Sequence, residues 1–275
     1  MSQDKVNSMT DGQSKRVVSI RESDGSIVKL EIHRSLRSTS RLAREYANLG
    51  YPDRYAVFAE KRIKLTTGKA GERAETERGL FLSIILRPSL FPSQASLMGA
   101  LAGTSLVSAL EEHTEKKLGI GWVSDVYCDG VKIGGATVEG KLDRFGSYEY
   151  IIVSFDIKTD NKNFPPRLTD MMRKVFEEEN TSIPMIMARS IISKFFKYYP
   201  SLRNEPKFMN TYVQKFVLRG KRVKYQTEQK RISCKVLNVE MKSGALVLEK
   251  RNGEIIYATS PKNLTLPKRI RIKKT

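Results

Sequence analysis

Apolar and polar residues alternate from Val17 to His33 in VVSIRESDGSIVKLEIH, with a break at Asp24-Gly25. Period-two alternation on either side of an Asp-Gly pair predicts two antiparallel strands joined by a tight turn. Ser38-Thr39-Ser40 then precedes RLAREYANLG, where Leu42, Tyr46 and Leu49 share one helical face and Gly50 supplies a stop. A serine or threonine there is a natural N-cap. Tyr55 to Glu60 reads as a strand, Lys64 to Arg78 as a loop rich in Thr, Gly, Lys and Glu, and LFLSIILRP as a buried strand ended by Pro88.

A long helical pattern runs from Ser93 to Leu118, with Gly99, Ala100, Ala102 and Gly103 small enough for close packing, and ends at Lys116, Lys117 and Gly119. Two strands follow, IGWVSDVYCDG and VKIGGATVEGKL, linked through Asp129-Gly130, then a strand from Tyr148 to Ile157 and a helix from Ser182 to Tyr199. From Lys215 the texture changes to short strands with turn signals such as Asn252-Gly253, which predicts a small barrel. The pattern as a whole predicts an α+β fold, a mixed or antiparallel sheet flanked by helices, followed by that barrel. Residues 1–16 are expected to be a disordered polar leader, 17–210 the main domain and 211–275 the barrel with a basic tail.

Composition changes this picture only in part. A chain of 275 residues with 40% hydrophobic content has enough apolar surface for a large core, which excludes wholesale disorder. No run approaches the roughly 18 apolar residues of a membrane span, and the N-terminus has no apolar signal core, so a cytoplasmic protein without a membrane partner is expected. Cys128 and Cys234 lie far apart without metal-type spacing, and His33 and His113 have no sequence partner, so a zinc site is not expected. The net charge of +19, from 49 Lys and Arg against 30 Asp and Glu, favours acidic partners.

Four segments carry chemistry in an order that resembles biotin protein ligases. Ser38-Thr39-Ser40 is similar to the family's Ser/Thr-Thr-Asn beside the biotin ureido ring. TTGKAGER resembles its Gly-Arg-rich loop over the adenylate, with Gly68, Lys69 and Arg73 retained. Glycines let backbone amides approach phosphate, and basic side chains offset its charge. GIGWVSD followed by DGVKIGGATVEG resembles the Lys-Trp-Pro-Asn-Asp and Gly-Lys-Lys-x-Gly-Gly-Ile signatures. Trp122, Asp125, Lys132, Gly134 and Gly135 match, whereas Gly121, Val123 and Ser124 stand where the family has Lys, Pro and Asn. IIVSFDIKTD stands in place of Gly-Ile-Gly-Ile-Asn, with Asp156 and Lys158 replacing a small residue and an asparagine. The terminal strands resemble the family's SH3-like barrel.

The resemblance implies ATP-dependent attachment of biotin to a carrier-protein lysine through biotinyl-AMP, with Mg²⁺ accompanying the ATP. Lys132 would be the catalytic charge-stabilising group; Ser38, Thr39, Gly68, Lys69, Arg73, Trp122, Asp125, Gly134 and Gly135 would bind substrates. The partner would be an acidic biotin carboxyl-carrier domain. A degenerate ligase-fold binding module is the alternative. Nucleic-acid binding through the basic tail Lys262, Lys268, Arg269, Arg271, Lys273 and Lys274 is a further one.

Overall fold

A computed structural model describes residues 15–68, 71–90, 92, 95–158, 182–202 and 206–265. The expected leader lies outside the described residues except for Lys15 and Arg16, of which Arg16 already belongs to a strand, and most of the basic tail lies outside them too.

The opening hairpin forms as its alternation predicts, from β1 (Arg16–Arg21) and β2 (Ile27–Leu36), with Gly25 at φ +80° in the turn. Ser38 caps α1 (Thr39–Asn48), its Oγ accepting from the Arg41 amide. Burial of Leu42, Ala43, Tyr46 and Ala47 on one face holds this helix against the sheet.

The stretch expected to be a loop from Lys64 to Arg78 is instead the arms of a long hairpin, β3 (Tyr55–Gly68) and β4 (Gly71–Leu86). Polar composition misled here: an exposed two-stranded ribbon needs no apolar alternation when cross-strand ladders and charge pairs such as Arg62–Glu77 support it. Next, α2 (Ala95–Glu111) ends earlier than Lys116–Gly119, because Leu118 begins the buried strand β5 (Leu118–Gly121). The strand expected through IGWVSDVYCDG is broken at Trp122-Val123-Ser124, after which β6 (Asp125–Cys128) turns through Asp129-Gly130 into β7 (Val131–Leu142). The ladder is completed by β8 (Tyr148–Lys158), and α3 (Ser182–Tyr198) follows as predicted.

These strands form one eight-stranded sheet in the order β1-β2-β3-β4-β8-β7-β6-β5, antiparallel except for the parallel β2–β3 pair. α2 and α3 cover one face, and α1 packs on β3, β4 and β8 around a second, smaller apolar cluster.

Lys215, expected to open the barrel, instead ends a helix, α4 (Phe208–Lys215), whose buried Phe208, Met209 and Tyr212 pack into the main core. The second sheet is antiparallel, of β9 (Arg222–Gln226), β10 (Arg231–Val239), β11 (Leu246–Glu249), β12 (Ile255–Ala258) and β13 (Leu264–Thr265), in the order β12-β11-β10-β9-β13. Its inward residues, Val223, Cys234, Val236, Leu246, Leu248 and Ala258, belong to the same buried cluster as the large sheet's core. Cys128 and Cys234 are buried free thiols. No helix among the described residues is long and apolar enough to cross a membrane.

Candidate functional site

The pairing of β7 with β8 sets the site. Gly134 stands opposite Ile157, and Gly135 opposite Asp156. A β-carbon on Gly134 would come within 2.8 Å of the Asp156 carbonyl, and one on Gly135 within 3.1 Å of both the Ser124 carbonyl and the Asp125 carboxylate. The glycine pair therefore lets the 124–125 backbone and β8 close on β7, which brings Asp125 and Asp156 to one cleft.

That cleft has a volume of about 410 Å³ and is lined by Asp125, Lys132, Gly134, Gly135, Thr137, Ser154 and Asp156, among others. It adjoins a smaller recess of about 120 Å³ that shares Thr137, Ser154 and Asp156 and adds Ser38, Thr39, Ser40, Arg62 and Phe81. The structure thus brings Ser38 and Thr39 at one end into a single groove with Asp125, Lys132, Gly134 and Gly135 at the other.

At the recess end, the Ser83 hydroxyl donates to Thr39 Oγ1 at 2.9 Å and lies 2.9 Å from the Ser154 hydroxyl. Ser83 and Thr39 are buried, so this relay fixes the start of α1 against β4 and β8. Beside it, Arg62 spans the groove. Its Nη1 donates to Asp156 at 2.6 Å, its Nε to Glu77 at 2.9 Å, and its guanidinium lies 4.5 Å from the Phe81 ring centre. Lys64 adds a 3.1 Å bond to Glu77. A planar guanidinium held by two carboxylates and an aromatic face is a rigid polar wall rather than a mobile surface side chain.

At the open end, Lys132 Nζ lies 2.6 Å from Asp125 Oδ1. Position 121, where the resemblance would put a lysine, is faced closely by Tyr127: a β-carbon on Gly121 would meet the Tyr127 ring at 2.6 Å, so the ring would have to shift to admit one. Burial, reinforced by the charge of Asp125, pushes the Tyr127 phenol up to about 12, so it is neutral at physiological pH.

Trp122 is not among the residues that line this cleft. It is buried in the seam between the two sheets, where its indole N–H donates to the Gly244 carbonyl at 3.0 Å. Gly99 and Gly103 of α2 make this possible, since side chains there would collide with Val123 and Ser124. Trp122 lines a further cavity of about 440 Å³ with Ser96, Ser124, Thr259 and Leu264, which shares Asp125, Ala136 and Thr137 with the Lys132 cleft. Gly68 closes the β3–β4 ladder opposite Gly71, and Arg73 pairs with Thr66 through its backbone. Lys69 and the Arg73 side chain lie outside the described residues.

Arg62, Glu77, Ser83 and Thr137 were not legible as site residues. Glu77 falls in the stretch read as a loop and Arg62 between that loop and the preceding strand, and only the β3–β4 register puts them opposite each other. The signal available was Asp156 itself, a charged residue that follows the apolar run of β8 and needs a partner. Among the described residues no group of three or more His, Cys, Asp or Glu side chains gathers to hold a metal.

The eight-stranded sheet with flanking helices and a second small sheet is the fold of biotin protein ligases, as comparison with known proteins shows. The chain is similar to the bifunctional ligase/repressor BirA of Bacillus subtilis, at 26% identity over 144 residues, 50% of this chain and 43% of that protein. It thus spans less than half the length of the curated relative that it matches. The crystal structure of biotin protein ligase from Aquifex aeolicus superposes with a TM-score of 0.62 at 20% identity, covering 86% of this chain and 97% of the other. The same ligase in complex with biotin and ATP gives a TM-score of 0.59 at 21% identity over 86% and 97%. No family model matches.

Proposed function

We propose that this chain activates a carboxylic acid with ATP and transfers it to a lysine of a carrier protein, with biotin as the acid that the relatives' names point to. In this reading the catalytic unit expected over 17–210 extends through α4 to Lys215, and the strands from Arg222 onward form an SH3-like barrel. The observation that carries it is the single groove running from the Ser38–Thr39 helix start to the Lys132–Asp125 pair.

The chemistry follows from the groove's two ends. The hydroxyls of Ser38, Thr39 and Ser154 offer hydrogen bonds to the polar ring of the acid, with buried Ser83 holding Thr39 and Ser154 from behind and the Arg62–Asp156 pair as the wall. The carboxylate then lies toward Lys132, whose ammonium offsets charge as the carboxylate attacks the α-phosphate and pyrophosphate leaves. A carrier lysine attacks the resulting mixed anhydride and AMP departs. Lys69 and Arg73 are proposed to hold the nucleotide, and a carrier domain of acidic character suits a +19 protein.

The test is acid-dependent exchange of pyrophosphate into ATP. Lys132→Ala is expected to lower the exchange rate by about 100-fold, the scale of losing one preorganised charge-stabilising donor. A full rate in that variant refutes its role.

One observation favours a second reading, a binding module without catalysis: the Tyr127 ring would have to shift to admit a lysine at position 121, and Asp125 engages the lysine that remains. That reading predicts binding of the acid without any exchange of pyrophosphate.

A further inference from the structure

The outward face of the second sheet repeats one charge. Residues 211–275 hold 17 Lys and Arg against 4 Glu and no Asp, so less than a quarter of the chain carries +13 of its +19. Because Val223, Cys234, Val236 and Leu248 point inward, the register forces Arg222, Lys224 and Gln226 of β9 and Arg231, Ser233 and Lys235 of β10 outward. Arg222 is directly opposite Lys235, a like-charge pair that costs a sheet stability, and the face includes Glu249 only at 3.8 Å from Lys235. Arg222, Lys224 and Arg231 form no ion pair with the described residues. From the Lys235 row to the Arg231 row is four residues, about 14 Å along the strand.

Two further features adjoin this track. At one end of the sheet, the β9–β10 and β11–β12 turns enclose a groove of about 850 Å³ lined by Lys230, Arg231, Lys250 and Arg251, with Glu228 as its acidic member. On the same face, β12 presents Tyr257, 57% exposed, two residues beyond Ile255, 41% exposed. Cations in a row, interspersed with the hydrogen-bonding Gln226, Ser233 and Thr265 and joined by an exposed aromatic ring, suit a phosphate backbone whose bases are free to stack.

We propose that the outward face of β9–β10–β11–β12, with the groove between its turns, binds single-stranded nucleic acid. Phosphates lie along Arg222, Lys224, Arg231 and Lys235, and a base stacks on Tyr257. This surface is separate from the groove of Lys132 and its action does not depend on ligase activity.

The test is fluorescence anisotropy of the full chain with labelled 12-nucleotide oligouridylate and oligothymidylate, over 50–300 mM KCl. Four phosphate contacts predict that log K falls against log salt with a slope of about −3. Lys224→Glu/Arg231→Glu/Lys235→Glu should weaken binding at least tenfold, and Tyr257→Ala about fivefold or more. Should the triple variant fail to fold, as judged by circular dichroism, Lys224→Gln/Lys235→Gln should give a smaller loss in a folded protein. A preference between the two oligomers identifies RNA or DNA as the source of the ligand within the proposal. It is overturned by absence of binding at 50 mM salt. It is equally overturned if the face variants bind normally while neutralising Lys268, Arg269, Arg271, Lys273 and Lys274 abolishes binding. Tighter binding of oligoglutamate than of either oligonucleotide, with Tyr257→Ala silent, assigns the face to an acidic protein and also overturns it.

Discussion

Single residues of this protein do their work through what surrounds them. Glu31 is fully buried in the sheet and accepts from the Tyr46 hydroxyl at 2.9 Å and the Tyr55 hydroxyl at 2.6 Å, with His33 Nε2 2.7 Å away. Burial would raise its carboxyl, but the hydrogen bonds from His33, Tyr55 and Tyr46 and the charge of Lys15 outweigh it and hold the group down to about 2. A depressed folded-state value contributes stability that is present above the unfolded value of 4.5 and is lost as pH falls toward 2. Stability measured by urea midpoint is therefore expected to fall by roughly 2–3 kcal/mol between pH 5 and pH 2 on account of this group. Glu31→Gln should be less stable at pH 7 and show a shallower acid decline; an unchanged decline would show that other carboxylates dominate it. Nothing in the sequence marked Glu31, because an alternating strand of KLEIH places it on the face that polar residues usually give to water. Only the arrival of α1 over that face buried it, with Tyr46 as its partner.

At the scale of elements, the β6–β7–β8 ladder is where the glycine pair matters. Gly134→Ala would push a methyl group against the Asp156 carbonyl, a backbone atom that has no rotamer to escape into. We expect a loss of about 1–3 kcal/mol in stability, the usual scale of overpacking, together with weaker ligand binding in the cleft as β7 and β8 separate. Gly135→Ala, whose nearest neighbours lie at 3.1 Å, should cost less. Thermal unfolding of both variants with and without the acid checks the order, and equal costs would refute the geometry. The glycines were visible in the sequence as a family-like signature, but their position there suggested ligand access. The register adds a second role: they let two strands close, and both line the cleft that forms at the closure.

The long β3–β4 hairpin makes the same point from the other side. Its charged composition, KRIKLTTGKAGERAETER, gives no apolar period to read. Strand pairing there is supported by cross-strand charges, which are invisible until the register is known. Thus Arg62 and Glu77, fifteen residues apart, could not be recognised as neighbours, and the wall of the groove went unseen.

The whole molecule is held together by a seam between two sheets. Trp122 donates to Gly244, Ser96 donates to the Thr259 carbonyl at 3.0 Å, and Gly244, at φ +71°, leaves no room for a β-carbon beside Ser96 and Leu97. Apolar residues from both sheets form one buried cluster, so the two sheets are expected to unfold in a single transition. Trp122→Phe retains the ring but leaves the Gly244 carbonyl buried without its donor, which should cost about 1–3 kcal/mol. Hydrogen exchange should show the loss in the β10–β11 turn, with the Lys132 cleft unaffected. Slower binding in that cleft without any change in the turn would return Trp122 to the ligand site.

The sequence by itself determined the α+β class, most of the strand and helix spans, the small terminal sheet and the ligase-like order of motifs, because periodicity, caps and turn residues are local and are written in consecutive positions. Tertiary structure alone decided that Gly121 faces Tyr127, that Trp122 belongs to the seam, and that Arg62, Glu77 and Asp156 meet in one wall. Those facts depend on register and on which elements pack together, and a single chain of letters has no coordinate for the distance between residues 62 and 156.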